Sequence, residues 1–337
     1  MADYFLIAGG LVLLIAGGEM LVRGAAATAE RLGMSPLLIG ITLVGFGTSM
    51  PELVTSIEAS MLGSPGIAIG NIVGSNIANV LLILGIAALI APIAVAQAAL
   101  MRDGSIVFAT AAIFVGVSFL PAFDRLVGAV FVSGLIAYLY YAYRQERAGA
   151  PDGHTAAFEK REAHDEVLDG SSGAAAVVAE QQGVAAQQGG SLWPSLALAI
   201  VGLVVVVFGG KLLVEGAIGM ARSAGLSETI IGLTIVAIGT SLPELVTSVV
   251  AAIRGHSDVA LGNVLGSNIY NILGIGGLTA VIAPTTIPAE VVSFDGPVML
   301  AVSAALLVVA RTGYRISRGE GALLLAAYIG YLVAIWP

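Results

Sequence analysis

Two stretches of this sequence decide its fold. Phe46–Ser56 reads FGTSMPELVTS, and Ile238–Ser248 reads IGTSLPELVTS. The offset between them is 192 residues, since Glu52 in the first stretch corresponds to Glu244 in the second (244 − 52 = 192). Self-similarity at a fixed offset indicates an internal duplication.

The duplication extends well beyond this motif. Gly70–Asn79 reads GNIVGSNIAN, and Gly262–Asn271 reads GNVLGSNIYN, again 192 residues apart. About half the positions are identical between residues 35–92 and 227–284, with no gap. Because the most polar segments are preserved in both copies, we interpret them as functional.

The composition is that of a membrane protein. Of the 337 residues, 58% are apolar and 11% are charged, and the mean hydropathy is +0.98. A run of about 20 apolar residues is long enough to span a bilayer as a helix. A helix makes its backbone hydrogen bonds internally, as the absence of water in the bilayer core requires. The alternation of a membrane barrel is absent from the sequence. Ten such runs are predicted, at about 3–25, 35–61, 66–90, 101–120, 123–143, 193–221, 227–253, 258–283, 293–311 and 318–336.

The number of runs predicts the topology. Each half of the duplication holds five, and an odd number gives the second half the opposite polarity in the membrane. The sequence thus predicts an all-α protein with two inverted five-helix repeats, at 1–145 and 193–337. Transporters built in this way place their site near the midplane, where the repeats meet.

The linker at 146–192 is predicted to be disordered. Residues 146–191 supply −5 of the net charge of −8. A simple tether is the favoured interpretation, and a regulatory segment is the alternative. Lys and Arg divide eleven to three between the two faces of the predicted topology. By the positive-inside rule, both termini lie outside the plasma (inner) membrane and the linker is cytoplasmic.

Glu52 and Glu244 are predicted to lie in the middle of the second and seventh runs. A carboxylate at that depth costs roughly a few kcal/mol unless it has a partner. Neither run holds a Lys or Arg near its glutamate, so each glutamate is expected to face the other. Two meeting carboxylates predict a cation site. The alternative is a pair that stays protonated and hydrogen-bonded.

Further oxygens flank both glutamates. Thr48 and Ser49 precede Glu52 by four and three residues and share its helix face. Pro51 bends the helix and leaves the carbonyl of Gly47 without a helical donor. The second copy repeats the pattern with Thr240, Ser241, Pro243 and Gly239, and the carbonyls of Gly45 and Ala237 are further candidates. Such an oxygen shell suits Ca2+ or Na+.

The third and eighth runs add a second polar set. Ser75 and Asn79 lie four residues apart on one helix face, and Ser267 and Asn271 are their counterparts. We expect these four residues to be ion ligands or their direct neighbours. Four more amides are interpreted as packing or bridging groups: Asn71, Asn76, Asn263 and Asn268.

The GTSxPE and GSNxxN pairs resemble the cation/Ca2+ exchanger superfamily, and most closely prokaryotic Na+/Ca2+ exchangers. The resemblance implies ten helices, with the second, third, seventh and eighth forming the ion core and the first and sixth sliding as a gate. It also implies a ligand set of Thr48, Ser49, Glu52, Ser75, Asn79, Thr240, Ser241, Glu244, Ser267 and Asn271, with the Gly45 and Ala237 carbonyls.

The resemblance predicts an antiporter that exchanges Na+ for Ca2+ by alternating access, not an enzyme, with no cofactor and no protein partner. K+-dependent relatives carry Asp at the position of Asn271, so K+ dependence is not expected. Proton-coupled relatives carry Gly-Asn-x-x-Glu, whereas Ser49 and Ser241 stand in the Asn position here. Ca2+/H+ antiport remains the nearest alternative, followed by a cation channel.

Overall fold

The computed structural model describes residues 2–32, 34, 45–120, 122–148, 154–162, 164, 192–255 and 257–337. In the first half, α1 is Ala2–Arg31, α2 is Met50–Met61 after a short turn at Gly45–Gly47, α3 is Pro65–Ile90, α4 is Gln97–Val117 and α5 is Arg125–Arg147. In the second half, α6 is Trp193–Ala224, α7a is Glu228–Thr240, α7b is Leu242–Arg254, α8 runs from Ser257–Ile269 through Tyr270–Gly276 and Gly277–Ile282, α9 is Val291–Arg311 and α10 is Arg318–Ile335.

The protein is helical and crosses the membrane many times. Within the described residues, eight helices are long and apolar enough to span a bilayer, and α7a with α7b makes a ninth if the bent pair is one span. The predicted run at 35–61 begins in residues outside the described part of the chain. Short strands Ile93–Ala94 and Arg315–Ile316 pair antiparallel and join the two halves of the sequence.

Helices α3 and α8 form the centre of the bundle. In each of these two helices, 83% of the most apolar 18-residue stretch is buried, against 39% or less in the other six spanning helices. Both carry a π-helical stretch, at Asn79–Ile83 and at Tyr270–Gly276. Such stretches are frequent at functional sites, and these two contain polar residues singled out from the sequence.

The long helices α1 and α6 pack against each other along glycines. Gly10, Gly17 and Gly24 recur every seven residues on α1. A Cβ on Gly24 would lie 2.3 Å from the backbone nitrogen of Ala199 on α6, and one on Gly17 would lie 2.7 Å from that of Val206. Only glycine permits backbones to approach so closely in lipid, and the contact makes α1 and α6 a single packed pair.

The linker is more ordered at one place than its composition predicts. Residues 156–162 are helical, and Ala156, Ala157 and Lys160 are fully buried. We call residues 154–162 and 164 the linker segment. The expectation of disorder does not hold here, because this segment packs against the membrane helices. Residues 149–153, 163 and 165–191 lie outside the described residues.

Candidate cation site

Both glutamates lie just after a break in a helix. Between α7a and α7b the chain bends by 48°, with Pro243 in the first turn of α7b. In the first repeat, Pro51 stands in the first turn of α2, and Glu52 and Glu244 follow the prolines directly. The N-terminal turn of a helix favours a negative side chain. Each proline therefore begins a helix whose first turn holds a glutamate inside the bundle.

The two carboxylates are buried and are tied to opposite repeats. Each glutamate is 1% exposed. The Ser49 hydroxyl donates to Oε1 of Glu244 over 3.0 Å, and the Ser241 hydroxyl donates to Oε1 of Glu52 over 2.9 Å. Each break thus supplies a donor to the carboxylate of the other repeat, and the glutamates lie on the two sides of one site.

Two asparagines hold the helix breaks against the central helices. Asn71 of α3 donates through Nδ2 to the backbone oxygen of Glu52 over 3.0 Å. Asn263 of α8 donates in the same way to the backbone oxygen of Glu244 over 3.1 Å. The interpretation of these amides as bridging groups agrees with these contacts. These two hydrogen bonds fix the backbone positions of the glutamates and do not involve the carboxylate oxygens.

The polar residues of α3 and α8 lie beside the glutamates. Ser75, Asn79, Ser267 and Asn271 are all 1% exposed or less, and both Asn79 and Asn271 belong to the π-helical stretches. Asn79 donates through Nδ2 to Oδ1 of Asn268 over 2.9 Å. Asn268, interpreted from the sequence as a packing residue, therefore orients one of the candidate ligands.

Six candidate ligand residues carry a buried oxygen that has no hydrogen-bond partner in the described part of the chain. They are Thr48 Oγ1, Glu52 Oε2, Ser75 Oγ, Asn79 Oδ1, Glu244 Oε2 and Asn271 Oδ1. Buried polar atoms normally have partners, and an exception calls for an explanation. Carboxylate, hydroxyl and amide oxygens of this kind are the ligands that Ca2+ takes in proteins.

The backbone oxygens fit the sequence prediction less well. The Ala237 carbonyl accepts a hydrogen bond from the backbone nitrogen of Ser241 over 3.1 Å. The Gly239 carbonyl, expected to be freed by Pro243, accepts one from a backbone N–H at the end of α7a. At the break between α7a and α7b, both carbonyls therefore have a backbone hydrogen-bond partner. Gly45 is buried beside the first break.

Lys160 is a residue of the candidate site that no sequence motif indicates. Its ammonium group donates to Oε1 of Glu244 over 3.3 Å and to the hydroxyl of Ser267, and the side chain is fully buried. The expectation that each glutamate has only the other as its complement does not hold, because a basic neighbour comes from the linker segment and not from the helices that carry the glutamates.

A cavity of about 360 Å3 leads to the site. It lies between α1, α2 and α7b and is lined by Glu19, Thr48, Pro51, Pro243 and Thr247, with His164 of the linker segment at its edge. Glu19 forms an ion pair with Arg23 on α1, and Lys211 forms one with Glu215 on α6 at 4.0 Å. Helix α1 is one wall of this cavity, and Thr48 and Pro51 beside Glu52 are part of its lining.

The site is built from oxygen atoms. Among the residues described, no three His, Cys, Asp or Glu side chains come together as a metal cluster. Two carboxylates with hydroxyl and amide oxygens are hard ligands, which suit Ca2+ and Na+ better than transition metals. With the helical bundle, this arrangement is typical of a membrane transporter for small cations.

Comparison with known proteins identifies the family. The family model described as "Sodium/calcium exchanger protein" matches residues 3–144 and 194–336, and the chain belongs to this family. The sodium/calcium exchanger MaX1 of Methanosarcina acetivorans is 37% identical, with 99% of this chain and 98% of MaX1 covered. The inner membrane protein YrbG of Escherichia coli is 32% identical, with 97% and 94% covered.

A solved structure supports the same assignment. The sodium-calcium exchanger NCX_Mj, soaked with Na+ and no Ca2+, aligns with a TM-score of 0.59 and 30% identity, and 99% of each chain is covered. The resemblance drawn from the GTSxPE and GSNxxN motifs is therefore confirmed. MaX1 and NCX_Mj are exchangers rather than enzymes, which agrees with the prediction that this chain is not an enzyme.

Proposed function

We propose that this chain is a secondary active antiporter that exchanges Na+ for Ca2+ at the site between Glu52 and Glu244. The observation that carries the proposal is the pair of buried carboxylates, one from each repeat. The candidate ligands around them include buried oxygens that have no hydrogen-bond partner among the described residues. Two carboxylates balance the charge of one Ca2+ or of two Na+. Membership of the sodium/calcium exchanger family supports the same ions.

The proposed ligands come in equivalent sets from the two repeats. They are Thr48, Ser49, Glu52, Ser75 and Asn79 from the first, and Thr240, Ser241, Glu244, Ser267 and Asn271 from the second, with the carbonyls of Gly45 and Ala237 as additional candidates. Ca2+ and Na+ compete for these oxygens. Antiport follows because carrying two uncompensated carboxylates through a dehydrated, closed state is costly.

The proposed architecture has ten membrane helices in two inverted repeats, 1–145 and 193–337, joined by the linker at 146–192. We place both termini outside the plasma (inner) membrane and the linker in the cytoplasm, following the distribution of Lys and Arg. With Na+ flowing inward, the exchanger extrudes Ca2+. Helices α1 and α6, joined along their glycines, would move as one gate.

The test is uptake of 45Ca2+ into proteoliposomes loaded with Na+ and diluted into Na+-free buffer. Parallel vesicles contain K+ or carry only a pH gradient. Uptake that requires internal Na+ supports the proposal. Uptake driven by the pH gradient alone moves the chain to Ca2+/H+ antiport, and uptake that needs no counter-ion indicates a channel.

A further inference from the structure

The linker segment places a positive charge inside the cation site. Lys160 donates to Glu244 and Ser267, and both are proposed ion ligands. We propose that the linker segment is an intramolecular inhibitor of the exchanger, in which the Lys160 ammonium group takes the place of a transported cation. The inference rests on the proposed function and adds a regulator to it.

Charge balance explains why the ammonium group excludes Ca2+. Burial of an isolated ammonium group is very costly, and here Glu244 and the hydroxyl of Ser267 compensate for it. The charge of Lys160 acts on Glu52 as well. Two carboxylates and one ammonium group leave a formal charge of −1. That charge balances one Na+ and leaves a bound Ca2+ with one uncompensated positive charge.

The linker segment lies in a groove on α8, and the equivalent groove on α3 is filled by α7a. On α3, Gly70 and Gly74 lie against α7a, and a Cβ on Gly74 would be 2.6 Å from the Leu233 carbonyl. On α8 the equivalent residues are Gly262 and Gly266 (70 + 192 and 74 + 192). A Cβ on Gly262 would be 2.2 Å from Cβ of Glu159. The linker segment occupies the groove on α8.

Both ends of the linker segment are attached to membrane helices. At the start, the backbone nitrogen of Ala156 donates to Oδ2 of Asp103 over 3.1 Å, and that of Thr155 donates to Oε1 of Glu146 over 2.6 Å. At the far end, His164 lies 3.8 Å from Glu19 of α1. The segment thus runs from α4 and α5 past the cation site to the proposed gate.

The first test compares two charge-removing variants of the linker segment. Lys160→Gln removes the ammonium group from the site. Arg161→Gln removes the neighbouring charge, whose guanidinium lies over the Phe158 ring at 5.8 Å. If the segment fills the site in about nine molecules of ten, Lys160→Gln lowers the Ca2+ concentration for half-maximal uptake about tenfold. Arg161→Gln changes it less than about twofold.

The outcomes separate this inference from the proposed function. Na+-dependent uptake in the wild type with an unchanged or weakened Ca2+ dependence in Lys160→Gln overturns the inhibitor and leaves the exchanger intact. Absence of Na+-dependent uptake from both proteins overturns the exchanger and the inhibitor together. Uptake that appears or sharpens only in Lys160→Gln supports both.

A second test fixes the segment in the groove without relying on charge. The chain has no cysteine, so an introduced pair reports one contact. A Cβ on Gly266 would lie 3.2 Å from Cβ of Lys160, near the roughly 3.8 Å of a disulfide.

In the Lys160→Cys/Gly266→Cys protein, oxidation should form a cross-link and stop uptake, and reductant should restore it. The single-cysteine variants should transport regardless of oxidant. No cross-link, or full uptake by the cross-linked protein, overturns the proposal.

Discussion

The two repeats agree closely at the glutamates and differ in what packs beside them. Ser49 and Ser241 each donate to the glutamate of the other repeat, over 3.0 and 2.9 Å. Asn71 and Asn263 each hold the backbone of the nearer glutamate, over 3.0 and 3.1 Å. These four contacts follow the duplicated motifs so closely that each residue has a counterpart.

The symmetry ends at the helix that precedes each glutamate. Thr240 donates to Oδ1 of Asn71 over 3.0 Å. The equivalent atoms, Thr48 Oγ1 and Asn263 Oδ1, have no hydrogen-bond partner among the described residues. Inverted repeats achieve alternating access when their halves adopt unlike arrangements around a fixed site. Under the proposed exchange mechanism, the matching contacts would mark the fixed site, and the unequal ones would mark the part that changes.

The largest expected effect comes from removing either carboxylate. Glu52→Gln and Glu244→Gln should each reduce Na+-dependent 45Ca2+ uptake by roughly two orders of magnitude, since loss of one partner from a buried charged group costs on the order of 3 kcal/mol. Glu58→Gln, in the same helix as Glu52 and away from the site, is the control. Retained uptake in either site variant would contradict a cation site that needs both repeats.

The threonines that precede the two glutamates should show the asymmetry between the repeats. Thr240→Val removes the hydrogen bond to Oδ1 of Asn71, whereas Thr48 Oγ1 has no hydrogen-bond partner among the described residues. Thr240→Val should therefore cost about 1 kcal/mol more of the free energy of unfolding than Thr48→Val. Thermal unfolding in detergent, monitored by circular dichroism, measures the difference. Equal losses would show that Thr48 and Asn263 pair in solution as their counterparts do.

The sequence was sufficient to predict the pieces that repeat. The prolines beside Glu52 and Glu244 predict the helix breaks from local chemistry. The carboxylates in apolar runs, repeated at a fixed offset, predict that the two glutamates face each other. Lys160 could not be placed in this way, because it lies in the linker outside either repeat. Its position depends on the groove at Gly262 and Gly266, which appears only when distant parts of the chain pack together.

The serines give a smaller and more diagnostic effect. Oε1 of Glu244 accepts from both Ser49 and Lys160, whereas among the described side chains Ser241 is the donor to Oε1 of Glu52. Ser241→Ala should therefore weaken Ca2+ uptake about fivefold, the size of one hydrogen bond of about 1 kcal/mol, and Ser49→Ala less.

A double-mutant cycle sharpens this comparison. In the Lys160→Gln background, Ser49→Ala should become as severe as Ser241→Ala, since Ser49 is then the remaining described donor to that oxygen. The readout is the Ca2+ concentration for half-maximal uptake. Strictly additive effects of Ser49→Ala and Lys160→Gln would mean that the two donors do not share Oε1 of Glu244.

The smallest effects are expected at the N-termini of α5 and α10, where the repeats use different caps for equivalent helices. Asp124 accepts from the backbone nitrogens of Leu126 and Val127, both over 3.0 Å, while Ser317 and Glu320 form a reciprocal capping box. Asp124→Ala and Ser317→Ala should each cost about 1 kcal/mol, lowering the melting temperature by a few degrees. Ser133→Ala, inside α5, should lower the melting temperature less.

The Ca2+ dependence of uptake should stay unchanged in the cap variants, because these caps lie in scaffold helices that supply none of the proposed ligands. A cap variant that altered this dependence would show that α5 or α10 moves with the gate, and the fixed part of the exchanger would then be smaller than the symmetry at the glutamates implies.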